Sequence, residues 1–142
     1  MARANASVEL SETADAVWET LTDLRRHPSW VAFHKRWITE PPERPEEGAT
    51  YKENVAILGP PAAVDWEIVT VKNGELLELS GKGATGVAAR LAYQVTAEDA
   101  RTVLTIDMEL SGGPVVGPIA DMIQDAAQKL VERSLKDFPA SR

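Results

Sequence analysis

Residues 102–138, TVLTIDMELSGGPVVGPIADMIQDAAQKLVERSLKDF, change their hydrophobic period once, and that change decides the fold. Leu104, Ile106, Met108 and Leu110 alternate with Thr105, Asp107 and Glu109, the period of two expected of a strand with one dry face and one wet face. After Gly112-Gly113-Pro114 the period lengthens. Ile119, Ile123, Ala126, Leu130 and Val131 form an apolar stripe at helical spacing, and Leu135 and Phe138 extend it. Asp125 with Lys129 and Glu132 with Lys136 are acid-before-base pairs four apart, which support a helix. The spacing predicts a long amphipathic helix over 119–138, with Pro118 tolerated because it falls in the first turn.

Working toward the N-terminus, strand-like runs occupy 87–96, 75–80, 64–71, 50–58 and 35–39. Turn signals separate them: the glycine cluster 81–86, Asn73-Gly74, Gly59-Pro60-Pro61, and the proline- and charge-rich loop 41–48. Further upstream, 24–31 carries Pro28 and Trp30 and suits a short irregular or helical connection. Ala14, Val17, Trp18 and Leu21 recur at helical spacing and predict a helix over 15–21, with Ser11 or Thr13 as its N-cap. Residues 7–10 form a short extended segment ahead of it. Consecutive hairpins make an antiparallel sheet, and one long helix laid on its concave face buries the dry side. The expected class is α+β, with the whole chain, 1–142, as one domain.

Composition narrows the function. The 142 residues are 44% hydrophobic and 26% charged, as in an ordinary globular protein. The net charge of −7 repels phosphate backbones and anionic headgroups, so neither nucleic acid nor a membrane surface is an expected partner. There is no cysteine, which excludes disulfides, thiolate metal sites and a cysteine nucleophile. No run approaches the roughly 18 apolar residues that span a bilayer, and residues 1–10 lack a leader pattern. A cytoplasmic monomer or homodimer is the expectation.

Three constellations bear on chemistry. Gly81-Lys82-Gly83-Ala84-Thr85-Gly86 matches G-x-G-x-x-G, but Leu91, Tyr93 and Val95 beyond it alternate as a strand does. The motif therefore reads as a hairpin connection and no dinucleotide or other cofactor is expected. His27 and His34, the two histidines, sit in polar local sequence without metal-pair spacing; they read as exposed, and no metal site is expected. The aromatic residues are more informative: Trp30, Phe33, Trp37, Tyr51, Trp66 and Tyr93 lie on five segments and are candidates to line a pocket between sheet and helix. Ile119, Met122, Ile123 and Ala126 are the expected helix side of that pocket. Strand parity adds Val55 and Glu53, which point inward if Tyr51 does. A lone inward carboxylate must find a partner or hold a proton more tightly than usual, which makes Glu53 a candidate general acid with Tyr51 or Tyr93 beside it.

The stretches VELSETADAVWETLTDLRRHPSW (8–30), VDWEIVTV (64–71), TVLTIDMELSGGPVVGP (102–118) and LVERSLKDF (130–138) resemble the START-like, Bet v 1-like superfamily, and within it the bacterial polyketide cyclase/dehydrase and lipid-transport family. The resemblance covers about residues 6–138. It implies a helix-grip fold, in which a seven-stranded antiparallel sheet wraps a long C-terminal helix, with one or two short helices after the first strand. It also implies a cavity for a hydrophobic or aromatic small molecule, polyketide- or lipid-like. Some relatives are aromatase/cyclases that place an arginine and tyrosines in the cavity; Tyr51 and Tyr93 match in type, whereas Arg90 has outward parity. HPSWVAFHKRW (27–37) also resembles toxin members of toxin–antitoxin pairs, which implies an antitoxin partner. A ligand carrier, a cyclase or dehydratase, and a growth regulator are the three functions in view.

Overall fold

The computed structural model describes residues 1–138. Seven strands form one antiparallel sheet: β1 (Ala2–Leu10), β2 (His34–Trp37), β3 (Thr50–Val55), β4 (Ala62–Lys72), β5 (Leu76–Gly83), β6 (Ala88–Glu98) and β7 (Arg101–Ser111). Their spatial order is β1-β7-β6-β5-β4-β3-β2. Strands β2 to β7 are therefore a meander, and β1 closes onto its last member. Helix α1 (Ala14–Thr22) and a short 3-10 helix (Leu24–Ser29) carry the chain from one edge of the sheet to the other. Helix α2 (Gly117–Asp137) follows β7 and packs along β1. This is the helix-grip arrangement.

The period-two residues of β7 decide which face is dry. Leu104, Ile106, Met108 and Leu110 are buried, and their register partners Val95, Tyr93, Leu91 and Ala89 on β6 are buried with them. Leu77 and Leu79 on β5 and Trp66 and Ile68 on β4 continue the same layer. Thr13 caps α1 through its hydroxyl, which accepts from the Ala16 N–H at 3.2 Å. Pro118 lies in the first turn of α2, where its missing N–H leaves no gap.

Several strand limits differ from the sequence expectation: β2 ends at Trp37 and not 39, β5 runs on to Gly83 and not 80, and β1 and β3 differ for a visible reason. β1 starts at Ala2 and not near residue 7, because Ala2 and Ala4 are buried opposite Leu110 and Met108; alanine contributes too little hydrophobic contrast to reveal a strand. β3 ends at Val55, short of 58, because the Ala56 N–H leaves the ladder and donates to the Phe33 carbonyl at 3.0 Å.

The first half of the glycine cluster, Gly81–Gly83, is the end of β5, and the second half forms the β5–β6 connection. Its tip, Ala84–Gly86, holds Thr85 at φ 61°, and it rests on the β7–α2 turn so closely that a Cβ on Gly112 would collide with the Gly86 carbonyl oxygen and one on Gly113 with that of Thr85. Gly112 (φ 77°) and Gly113 (φ 53°) also need the left-handed region. These two turns thus meet backbone to backbone beside the start of α2.

Candidate functional site

A cleft of about 380 Å³ opens at the end of the sheet where the two glycine turns meet. Phe33, Val55 and Ile57 form one wall, Val64, Trp66 and Ala89 the floor, and Val87, Met108, Leu110, Val115 and Ile123 the side toward α2. Pockets for small organic ligands run from about 300 to 1,000 Å³ and are mostly apolar with a few placed polar groups, which this lining matches.

The polar groups stand directly behind the β3–β4 part of the wall. Glu53 is buried on β3, opposite Val64 on β4 and Trp37 on β2. The Trp66 indole Nε1–H donates to Glu53 Oε1 at 2.8 Å, and His34 Nδ1 pairs with Glu53 Oε2. Both carboxylate oxygens are engaged. The inward parity of Glu53 is as read from the alternation around Tyr51, but the carboxylate is not alone: an indole and an imidazole share it.

His34 reaches Glu53 because of an irregularity in β2. Register shifts between His34, opposite Val55, and Arg36, opposite Asn54. A bulge of this kind turns a side chain to the other face, so His34 and Trp37, three residues apart, meet with ring centroids 4.6 Å apart and planes tilted by 57°. The loop leading to His34 is tied to α2 by Ser134. Its fully buried hydroxyl accepts the Ala32 N–H at 2.8 Å and donates to the Leu130 carbonyl at 2.8 Å.

Three further titratable groups surround Glu53. Burial, and then the Glu53 charge, push the Tyr51 hydroxyl far above its usual range. Tyr93 is raised by burial, Tyr51 and Glu53, in that order. His27 donates from Nε2 to the Leu21 carbonyl at 2.8 Å, and burial lowers its pKa below the ordinary 6.5 despite that bond and the nearby carboxylate. Its ring lies edge-on to Trp30 (5.2 Å) and Tyr93 (5.8 Å). The expectation that both histidines are exposed is therefore corrected. His27 is 3% exposed and the His34 side chain 6%, because the 3-10 helix turns the first inward and the β2 bulge the second.

The sequence profile of the family described as polyketide cyclase / dehydrase and lipid transport matches residues 1–141. The chain belongs to that family. A Mycobacterium tuberculosis protein named Toxin Rv0910 is 30% identical over 138 residues, which cover 97% of this chain and 96% of the relative. Among solved structures, a START superfamily protein from Mycobacterium smegmatis superposes with a TM-score of 0.76 at 18% identity, covering 97% of this chain and 94% of that one. TTHA0849 from Thermus thermophilus gives 0.73 at 13% identity, covering 98% and 95%. The START-like, Bet v 1-like fold is thus shown.

The residues selected from sequence divide into three groups. Phe33, Val55, Trp66 and Ile123 line the cleft, with Glu53 bonded to one of them. Trp30, Tyr93, Tyr51 and Trp37 lie away from it in aromatic packing: Trp30 meets Phe138 at 4.9 Å and Tyr93 at 5.8 Å, and Trp37 meets Tyr51 at 5.7 Å. Ile119 and Met122 are 47% and 57% exposed and do not form the helix wall, and Ala126 is half-buried off the cleft. The face that α2 turns inward carries Ala120, Ala127, Val131 and Leu135, so Ile119 and Met122 fall on the solvent side. Arg90 is exposed, in line with its outward parity. Sequence reasoning missed Val64, Ala89, Met108, Leu110 and Val115 as wall residues, although their alternation marked each strand residue among them as inward. No pattern signalled His34. Among the described residues, no helix is long and apolar enough to cross a membrane.

Proposed function

We propose that the protein binds one hydrophobic or aromatic small molecule in the cleft between sheet and α2. The observation that supports this reading is the cleft itself: about 380 Å³, walled by aliphatic and aromatic side chains, with the Trp66–Glu53–His34 chain as its adjoining polar element. The family, described as polyketide cyclase / dehydrase and lipid transport, points to the same ligand chemistry. Fluorescence titration with the neutral dye N-phenyl-1-naphthylamine tests it. Saturable one-to-one binding is expected, lost in Ala89→Trp or Ile123→Trp variants that keep the wild-type melting temperature. Unsaturable binding, or binding indifferent to both fillings, would refute it.

A second reading is a cyclase or dehydratase, favoured by the five titratable side chains, His27, His34, Tyr51, Glu53 and Tyr93, that gather within the fold. In that case Glu53→Gln keeps ligand binding but abolishes turnover of a polyketide-like substrate, whereas a carrier shows no turnover to lose. The name of the mycobacterial relative raises a third role, a growth regulator held by an antitoxin; arrested growth on expression in a bacterial host, relieved by a neighbouring gene product, is its test.

A further inference from the structure

We infer that the outer edge of β2 is a docking site for an extended, acidic segment of a partner protein, which adds to the sheet as a further strand. The inference does not depend on what the cleft holds.

Charge is the first observation. Residues 24–39, from the 3-10 helix through β2, carry Arg25, Arg26, Lys35 and Arg36 and no acid, in a chain whose net charge is −7. Arg25 is matched by Glu40 at 3.6 Å. Lys35 and Arg36 are exposed, and among the described residues neither side chain has an ion-pair or hydrogen-bond partner. At physiological ionic strength exposed charges more than about 8 Å apart are largely screened, so a group brought against β2 meets these two cations and not the acidic remainder of the chain.

The backbone is the second observation. β2 is the last strand of the sheet and pairs on one side only, with β3. The Ile38 N–H donates to the Lys52 carbonyl at 3.0 Å, which makes Ile38–Lys52 a hydrogen-bonded pair. Hydrogen-bonded and non-hydrogen-bonded pairs alternate along an antiparallel ladder, so Trp37–Glu53 is of the second kind, and the Trp37 N–H and carbonyl point away from β3. Among the described residues, no hydrogen bond from any segment except β3 reaches the backbone of Lys35, Arg36 or Trp37. The loop that follows β2 returns along β4, where the Gly48 N–H donates to the Ile68 carbonyl at 2.8 Å and Glu47 accepts the Val71 N–H at 3.0 Å.

The side chains beside Trp37 specify the occupant. Arg36 is exposed and Ile38 is 41% exposed, and as neighbours two apart they share the outer face. A strand bonded to Trp37 sets one residue across from each of them, in the closer kind of pair, where opposite charges and apolar contacts both stabilise. The fitting segment therefore carries an acid and an aliphatic residue two apart. A second copy of β2 brings two more cations to the same short edge and no acid, and these repel. The cations that guard the edge against self-pairing thus select an acidic strand.

Amide shift mapping by NMR tests the inference, with an end-blocked octapeptide of alternating valine and glutamate as the probe and its valine–lysine counterpart as the control. The glutamate peptide is expected to shift the amides of residues 35–38 and to slow exchange at the Trp37 amide, and the lysine peptide to leave them unmoved. A Lys35→Glu, Arg36→Glu double variant, altered only at exposed side chains, should bind the glutamate peptide about tenfold more weakly, the worth of two exposed charge pairs, and should accept the lysine peptide instead. Equal shifts from the two peptides, no shift at 35–38, or shifts at the cleft that Ile123→Trp removes would each overturn the inference. Displacement of the glutamate peptide by oligothymidylate would make the edge a general anion surface, and unchanged exchange at Trp37 would exclude strand addition; either result also overturns it.

Discussion

Trp66 lies across Gly81. The two are register partners on β4 and β5, and a Cβ on Gly81 would stand 2.7 Å from the indole Cζ3 and 2.8 Å from Val64 Cγ1. The absent side chain is what lets the indole lie flat enough for its Nε1 to reach Glu53. The first glycine of a sequence that resembles a phosphate-binding loop is thus a shelf for an aromatic ring. Gly81→Ala is expected to cost about 1–3 kcal/mol by overpacking and to shift Trp66 off Glu53. Denaturant unfolding and tryptophan emission measure the two effects, and stability unchanged within about 0.5 kcal/mol would show that Trp66 turns aside freely.

The glycine turns separate two costs of a side chain. Gly74 has φ 79° with nothing near its Cβ position, so Gly74→Ala should cost about 1 kcal/mol of backbone strain. Gly113→Ala adds a collision with the Thr85 carbonyl and should cost more than Gly74→Ala, about 2–4 kcal/mol. Equal losses in parallel urea titrations would mean that the two turns are not held against each other.

Ser134 gives a third measurement. Ser134→Ala leaves the Ala32 N–H without its acceptor, at about 1–3 kcal/mol, and loosens the loop that carries His34. Amide exchange at Ala32 should rise well above that of its neighbours in the variant. If exchange there stays at the wild-type rate, the tie between this loop and α2 lies elsewhere.

His27 sets a pH dependence. Its folded pKa is lowered, chiefly by burial, so below the unfolded value of about 6.5 the unfolded chain binds this proton more readily than the native one. Stability contributed by the neutral ring is complete above that value and declines as pH falls through it. Melting temperatures of wild type and His27→Gln, compared at pH 8 and pH 5, should converge or cross at the acidic end. A constant difference between the two proteins would exclude His27 as the cause.

Exposure on α2 yields a control. Ile119→Ser and Met122→Ser should leave dye affinity within about twofold, since these side chains face solvent, whereas Ile123→Trp should remove binding. Loss of affinity in the first two would place the ligand on the outer surface of the helix.

The fold was legible because its signals are redundant. Alternation along β7, Asn73-Gly74 between β4 and β5, and the change of period after Pro114 each demand the same antiparallel sheet and helix. The site was legible in part. Glu53 followed from parity with Tyr51, since β3 runs regularly through both. His34 did not, because one bulge between residues 34 and 36 inverts parity on β2, and nothing in HKRW marks a bulge. On the helix side Ile123 lines the cleft but Ile119, Met122 and Ala126 do not, for a related reason. Large residues such as Ile119 and Met122 weigh most in a hydrophobic stripe, yet the inward face of α2 begins with Ala120 and continues through Ala127. Side-chain amides decide that rotation: Gln124 Oε1 accepts the Arg3 N–H at 3.0 Å, and Gln128 accepts the Asn5 N–H at 2.9 Å and donates to the Asn5 carbonyl at 2.8 Å.

Those glutamines have a consequence for self-association. A strand at a sheet border normally offers its outward amides and carbonyls as a template, and a second copy can extend the ladder there. On β1 the outward amides of Arg3 and Asn5 and the Asn5 carbonyl are already answered by α2, and Gln128 imitates a neighbouring strand by engaging both the amide and the carbonyl of one residue. Growth from the Arg3–Asn5 half of this border is foreclosed while α2 stays docked. Should α2 peel away, the same movement would open the interior and bare nine residues of border strand at once. Loss of ligand retention and onset of fibrillar assembly would then share a single trigger, which a Gln124→Ala, Gln128→Ala double variant should bring within reach of mild heating.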